Sequence, residues 1–331
     1  MKFVFFLFSI FLSTHVMPQI KNYMFIGMDR EQLQDTAKWA TNGLFEGVQI
    51  AYSWNQLEHE KDKYDFSIIK EDLALLQQYS KKLFIQVQDV SFQMKWNFAP
   101  AYLRNDTTYH GGTNKQYRFA DYTEKEYTDL GWVVRRWDTA VQERLHKLYA
   151  ALGKKFDGIV EGINTEETAV TFGKKNLHPP GFSFVQYKDA FIENIIALKA
   201  SFPNSTVMVY ANFMPGGYMP YEDPTLLKVV YEAAWKYNIA VGGPDLFPYK
   251  KEHMQNSYQF IKQSHNKVPT ALAVQDGNYE YINPKTNQSV TAADIYDFAM
   301  QELQLTYIFW GTEQPYFDRE TVPFLRSLKG R

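Results

Sequence analysis

From residue 23 onward, short runs of consecutive apolar residues alternate with longer stretches in which apolar positions recur every three or four residues. The runs fall at 23–28, 47–52, 83–87, 158–163, 207–211, 239–242, 270–274 and 306–310, each too short for a helix and largely apolar throughout. Between them the helical spacing is clear at 67–80, through Ile68, Ile69, Leu73, Leu75 and Leu76, and at 184–201, through Phe184, Tyr187, Phe191, Ile195 and Leu198. Strands that alternate with amphipathic helices predict a parallel sheet with crossover connections, and eight such units predict an α/β protein built as a single closed (β/α)8 barrel.

The longest stretch without either period runs from 90 to 138, rich in Trp, Tyr, Asn and Gly, far beyond an ordinary connection. It follows the third strand, on the side where a barrel builds its site, and is expected to form a lid or substrate wall. Residues 2–12, KFVFFLFSIFL, join one positive charge to an apolar run too short to span a bilayer comfortably, the form of a signal peptide. A leader over 1–17 and a barrel domain over 18–331 are therefore expected, with export to a periplasm or the medium and no stable membrane span after the leader is removed.

Composition narrows the chemistry. Hydrophobic residues make up 45% of the 331 and aromatic residues 17%, enough for a large core with rings to spare for a cleft. A formal net charge of −2 with scattered basic residues gives no cationic face for nucleic acid. The absence of cysteine excludes disulfides, thiolate zinc sites and a cysteine nucleophile. The seven histidines show no metal-ligand spacing, and no serine-hydrolase, nucleotide or dinucleotide motif occurs, so neither metal nor cofactor is expected.

The carboxyl ends of the expected strands carry polar and aromatic residues: Asp29 after the first, Trp54 and Asn55 after the second, Gln88 and Asp89 after the third. Asn164, Glu166 and Glu167 follow the fourth, Asn212 the fifth, Asp245 the sixth, Gln275 and Asp276 the seventh, and Trp310 and Glu313 the eighth. A purely structural barrel has no need of so many convergent polar groups at one end. Trp54, Trp96, Tyr210, Tyr279 and Trp310 offer flat faces suited to the C–H face of a sugar ring. The plainer alternatives are a helix-opening acidic pair for Glu166 and Glu167, a turn residue for Asp276, a loop carboxylate for Glu313 and core packing for the aromatics.

The segment 47–66, GVQIAYSWNQLEHEKDKYDF, resembles the strand-two region of clan A glycoside hydrolases through Ser53, Trp54, Leu57, Glu58, Tyr64, Asp65 and Phe66. The resemblance implies that Asn164 and a following glutamate match the Asn-Glu pair after strand four, whose glutamate is the general acid/base. Here Thr165 intervenes, leaving Glu166 or Glu167, with strand alternation favouring Glu167. At the end of strand seven, where the family carries a nucleophilic glutamate, this chain has Gln275 and Asp276, so the second carboxylate is Asp276 or Glu313. The resulting expectation is an exported glycosidase acting on O-glycosidic bonds of an oligo- or polysaccharide, with Asp29, Trp54, Asn55, Gln88, Asn164, Asn212, Gln275, Tyr279 and Trp310 as substrate-binding residues. The alternatives are a carbohydrate-binding barrel without catalysis and an unrelated barrel isomerase or lyase.

Overall fold

The computed structural model describes residues 20–329 apart from 42, 121–124, 174–176 and 217–224; the expected leader lies outside the described residues. Eight parallel strands form one sheet: β1 (Lys21–Phe25), β2 (Gly47–Ser53), β3 (Lys82–Gln88), β4 (Gly162–Glu167), β5 (Thr206–Tyr210), β6 (Ala240–Gly242), β7 (Ala271–Val274) and β8 (Tyr307–Gly311). They pair in the order 7-8-1-2-3-4-5-6. The seam between β6 and β7 is joined by a bridge from Val241 to Thr270 and by hydrogen bonds from Val241 N to Pro269 O (3.0 Å) and Ala273 N to Gly243 O (2.9 Å). The barrel expected from the alternation is the one observed.

The helices that follow the strands are α1 (Thr36–Trp39), α2 (Ser67–Gln78), α3 (Thr139–Phe156), α4 (Phe184–Ser201), α5 (Thr225–Lys236), α6 (Ser257–Ser264), α7 (Ala292–Phe298) and α8 (Val322–Lys329). None of the described helices is long and apolar enough to cross a membrane. Asp138 caps α3 by accepting from Ala140 N, and Ser183 caps α4 by accepting from Gln186 N, so each long helix starts where a side-chain oxygen replaces a missing backbone acceptor. The segment expected to be irregular is regular in part: Val90–Ser91, Thr113–Phe119 and Tyr127–Val134 pair as an antiparallel sheet of three strands. Its polar outer residues hid the period-two pattern.

Side-chain alternation sorts the core into two layers. Tyr23, Phe84, Met208, Tyr210, Ala240, Ala271, Ala273, Tyr307 and Phe309 point into the barrel, while the intervening strand residues pack with the helices. The inner aromatics meet edge to face, Phe84 and Phe309 with centroids 5.1 Å apart, which closes the amino end of the barrel as a packed floor. Glu161, expected within a strand, instead precedes β4 at this end and accepts hydrogen bonds from Lys21 Nζ (3.1 Å), Lys82 Nζ (2.7 Å) and Tyr307 Oη (3.1 Å).

The strand-two segment is built around a buried charge. Glu58 is fully buried and accepts from Trp54 Nε1 (2.9 Å), Tyr102 Oη (2.9 Å), Asp62 N (2.9 Å) and the buried guanidinium of Arg144 on α3. Arg144 in turn donates to Asp62 (2.7 Å). With every lone pair used, the pair is tolerated; with one partner gone, an uncompensated charge stays buried. Glu58→Ala is expected to cost about 3–5 kcal/mol in urea unfolding. Lys63→Ala, which removes an exposed ion pair with Glu60, is expected to leave the midpoint unchanged. Equal effects from both substitutions would show that the Glu58 cluster contributes no more than a surface pair.

Candidate active site at the carboxyl end of the barrel

The fourth strand carries an irregularity that decides the site. Asn164 pairs with Met208 and Glu167 with Tyr210, so three steps along β4 span two along β5 and one residue is inserted, a β-bulge. Met208 and Tyr210 both face the barrel interior, and their partners therefore do too. The bulge is what lets two consecutive glutamates approach the same region, since in a regular strand they would part to opposite faces.

Below the glutamates lies a polar layer. Gln49 Nε2 donates to Asn164 Oδ1 (3.0 Å) and to Tyr210 Oη (2.9 Å), all three being buried. Above it, Glu166 is buried and accepts from Glu167 N (3.3 Å), and Glu167, half-buried, accepts from Asn212 Nδ2 at the end of β5. Arg136, buried, holds the irregular strand end: Nη2 donates to Glu167 O (2.6 Å) and Tyr187 Oη (2.7 Å), and Nη1 to Asp89 Oδ1 (3.2 Å). Tyr187 Oη then donates to Thr168 O (2.9 Å).

Burial pushes the Glu166 carboxyl up to about 8, reinforced by the negative charges of Glu167 and Asp89. Burial also pushes Glu167 up to about 7; the Asn212 hydrogen bond opposes the shift and the charge of Asp245 adds to it. Two carboxyls that titrate near neutrality at the mouth of a barrel can hold a proton and give it up, which is what general acid chemistry asks.

The other expected site residues divide. Asn164, Asn212 and Tyr210 belong to this assembly, although Tyr210 is buried beneath Glu166 rather than offering a free face. Gln88 ends β3, half-buried, on the inward parity of Phe84 and Gln86. Gln275 donates through Nε2 to Pro244 O (2.9 Å), tying β7 to the loop after β6. Asp276 is exposed at the start of the short helix Asp276–Glu280 and accepts from Gly277 N (2.7 Å). Glu313 is exposed, with its carboxylate over the α-carbon of Gly311 at the inward position of β8. Although the residue is exposed as a whole, its carboxylate loses solvent against Gly311, and this desolvation together with the charge of Asp276 raises its pKa. Asp29 is exposed and accepts from Gln32 Nε2 (3.0 Å), and Asn55 donates its backbone N–H to Phe98 O (2.9 Å).

Three aromatic expectations need correction. Trp310 is fully buried and faces the helices, because Tyr307 and Phe309 take the inward parity of β8; its indole donates to Asn22 Oδ1 (2.8 Å). Trp54 is fully buried on the same outer side, bound to Glu58. Tyr279 is buried, its hydroxyl paired with Thr321 Oγ1 (2.7 Å) and its ring stacked on Tyr316. Trp96 remains exposed beneath Lys95. Arg136 had no place in the sequence reading and Tyr187 entered it only as an apolar helix position; the signal available was the Arg135-Arg136 pair inside an aromatic segment. A cavity of about 780 Å³ is lined by Arg135, Trp137, Asp138 and Gln186, and by neither Glu166 nor Glu167.

The raised Glu166 sets the sign of a pH dependence. Between the ordinary carboxylate value of 4.5 and about 8 the folded state keeps a proton that the unfolded chain has lost, so stability falls as pH rises through that window. Glu166→Gln removes the titration. Its stability is expected to gain on the parent from pH 5 to pH 8, by about 1.4 kcal/mol for each unit of the shift. Urea midpoints at pH 5, 6.5 and 8 check this; parallel pH slopes for the two proteins would mean that Glu166 does not titrate in the window.

No family model matches the chain, and no curated protein matches it. Solved structures do. The catalytic domain of a β-amylase from Paenibacillus polymyxa is 8% identical, with a TM-score of 0.55 over 88% of this chain and 92% of that one. Xylanase 10B from Thermotoga petrophila, in complex with xylobiose, is 12% identical, with a TM-score of 0.51 over 88% and 82%. Endo-glycoceramidase II from a Rhodococcus species, as its lactosyl-enzyme intermediate, is 14% identical, with a TM-score of 0.52 over 90% and 74%. At such identities the likeness is one of fold: this chain has the (β/α)8 barrel that these glycoside hydrolases share.

Proposed function

We propose that this chain is an exported glycoside hydrolase in which Glu167 protonates the glycosidic oxygen. The observation that carries the reading is the pair of carboxyls on the bulged end of β4, both raised towards neutrality at the open end of a barrel of glycosidase fold. Glu167 is favoured over Glu166 because it is half-buried rather than buried and is oriented by Asn212, so a substrate can reach it. Its raised pKa keeps a fraction protonated near neutral pH, as a general acid requires. A second carboxylate then attacks the anomeric carbon or activates water; Asp276 and Glu313 are the candidates from the sequence.

A second reading, a barrel that binds carbohydrate without cleaving it, is favoured by Gln275. The strand-seven position that bears a nucleophilic glutamate in the resembling family is here an amide engaged with a backbone carbonyl.

Glu167→Gln is expected to lower kcat/KM by about 10²–10⁴ on glycosides with a poor leaving group, and far less on 2,4-dinitrophenyl glycosides, whose phenol hardly needs a proton. Equal losses on both would exclude the acid role. If Glu166 is the acid, its Gln variant shows the contrast instead. A parent that binds oligosaccharides yet cleaves none in a broad screen supports the binding reading. For export, N-terminal sequencing of the mature protein is expected to start after about Met17; an intact Met1 in a cytoplasmic fraction would count against it.

A further inference from the structure

We propose that Asp245, in the loop after β6, is the second carboxylate of this site, standing towards Glu167 and replacing the strand-seven glutamate of the resembling family. The inference rests on the glycoside hydrolase reading and identifies the partner of its acid.

Asp245 is brought to the site by the backbone. β5 and β6 pair with Tyr210 opposite Gly242, and Ala211 N donates to Gly242 O (2.9 Å), so the two strand ends leave the barrel side by side. A Cβ on Gly243 would lie 3.9 Å from Cβ of Asn212, the residue that holds Glu167. The loop is then pinned from both sides. Gln275 grips Pro244 O, and Tyr258 Oη donates to Asp245 O (3.0 Å) while accepting from Phe247 N (2.7 Å). Gln275 thus has a task other than that of a nucleophile: it fixes the residue immediately before Asp245.

The surroundings of Asp245 distinguish it from the other candidates. It is half-buried, and Glu167 feels its charge, whereas the carboxylate charge felt by Glu313 is that of Asp276. Asn278, fully buried, lies beside Asp245, and its side-chain amide favours the charged carboxylate against the opposing effect of burial. The charged groups that face the pair are Lys250 towards Asp245, and Arg136 towards Glu167, with Glu166 next along the strand. In the reaction the bond from the anomeric carbon to the leaving oxygen breaks with its electron pair going to that oxygen, which takes the proton of Glu167. A water oxygen bonds to the anomeric carbon and its proton passes to Asp245. Proton exchange through solvent returns both groups to their starting states.

The test uses methyl and 2,4-dinitrophenyl glycosides of glucose, galactose, xylose and mannose, with the full mature chain. Asp245→Asn, of equal shape, is expected to lower kcat at least 100-fold on both leaving groups, unlike Glu167→Gln, which spares the activated one. Asp245→Ala with sodium azide is expected to regain activity on the dinitrophenyl glycoside and to release a glycosyl azide, since the anion needs no base. Independently of any substrate, the Glu167 carboxyl signal in ¹³C NMR is expected to titrate at lower pH in Asp245→Asn, because a negative charge facing it is gone. If Asp245→Asn works within threefold of the parent while Glu167→Gln keeps its leaving-group contrast, Asp245 is excluded and the hydrolase reading stands. If the parent cleaves none of these glycosides and Glu167 titrates unchanged, both fall.

Discussion

The guanidinium of Arg136 is the constraint around which the carboxyl end of the barrel is arranged. A buried cation is costly unless it is paired and hydrogen-bonded, and the two terminal nitrogens of Arg136 find partners in Asp89 after β3, Tyr187 on α4 and the backbone carbonyl of Glu167. These contacts join the insertion after β3 to the tip of β4 and to the helix behind it. They also satisfy a carbonyl that the bulge withdraws from the regular ladder, which is how an irregular strand end can persist inside a closed barrel. The same charge moderates the cost of burying two adjacent glutamates.

The fold was legible because its signal is repeated. Eight apolar runs separated by amphipathic stretches leave few architectures open, and most predicted strands lie within two residues of the observed ones. The fourth was misplaced: the run 158–163 was read as strand, but Gly158 takes a positive φ in the turn after α3 and the strand begins at Gly162. The shift matters, because it places Asn164, Glu166 and Glu167 within the strand rather than beyond it. A bulge leaves no mark in a hydrophobic pattern, so the alternation that favoured Glu167 reached its choice on a register that the strand does not keep.

The site was legible in part for a related reason. Residues that follow a strand can be enumerated from sequence, but which way each turns is set by packing. Trp310 obeys the parity of β8 and turns to the helices, while Trp54 is drawn outward by the buried Glu58 and Arg144. The segment that carries the family resemblance is therefore an anchor of the barrel wall, and a likeness there speaks of architecture before chemistry. Arg136 and Tyr187, which shape the glutamates directly, lie 31 and 20 residues from Glu167 in the chain and no local pattern links them to it.

The aromatic floor has its own consequence. Tyr23, Phe84, Tyr307 and Phe309 fill the barrel below the polar layer, so the mouth has no rear exit. Whatever enters past the glutamates must back out the way it came. Arrival and departure therefore share one doorway, and the traffic of molecules through the site is a matter of turns taken rather than of passage.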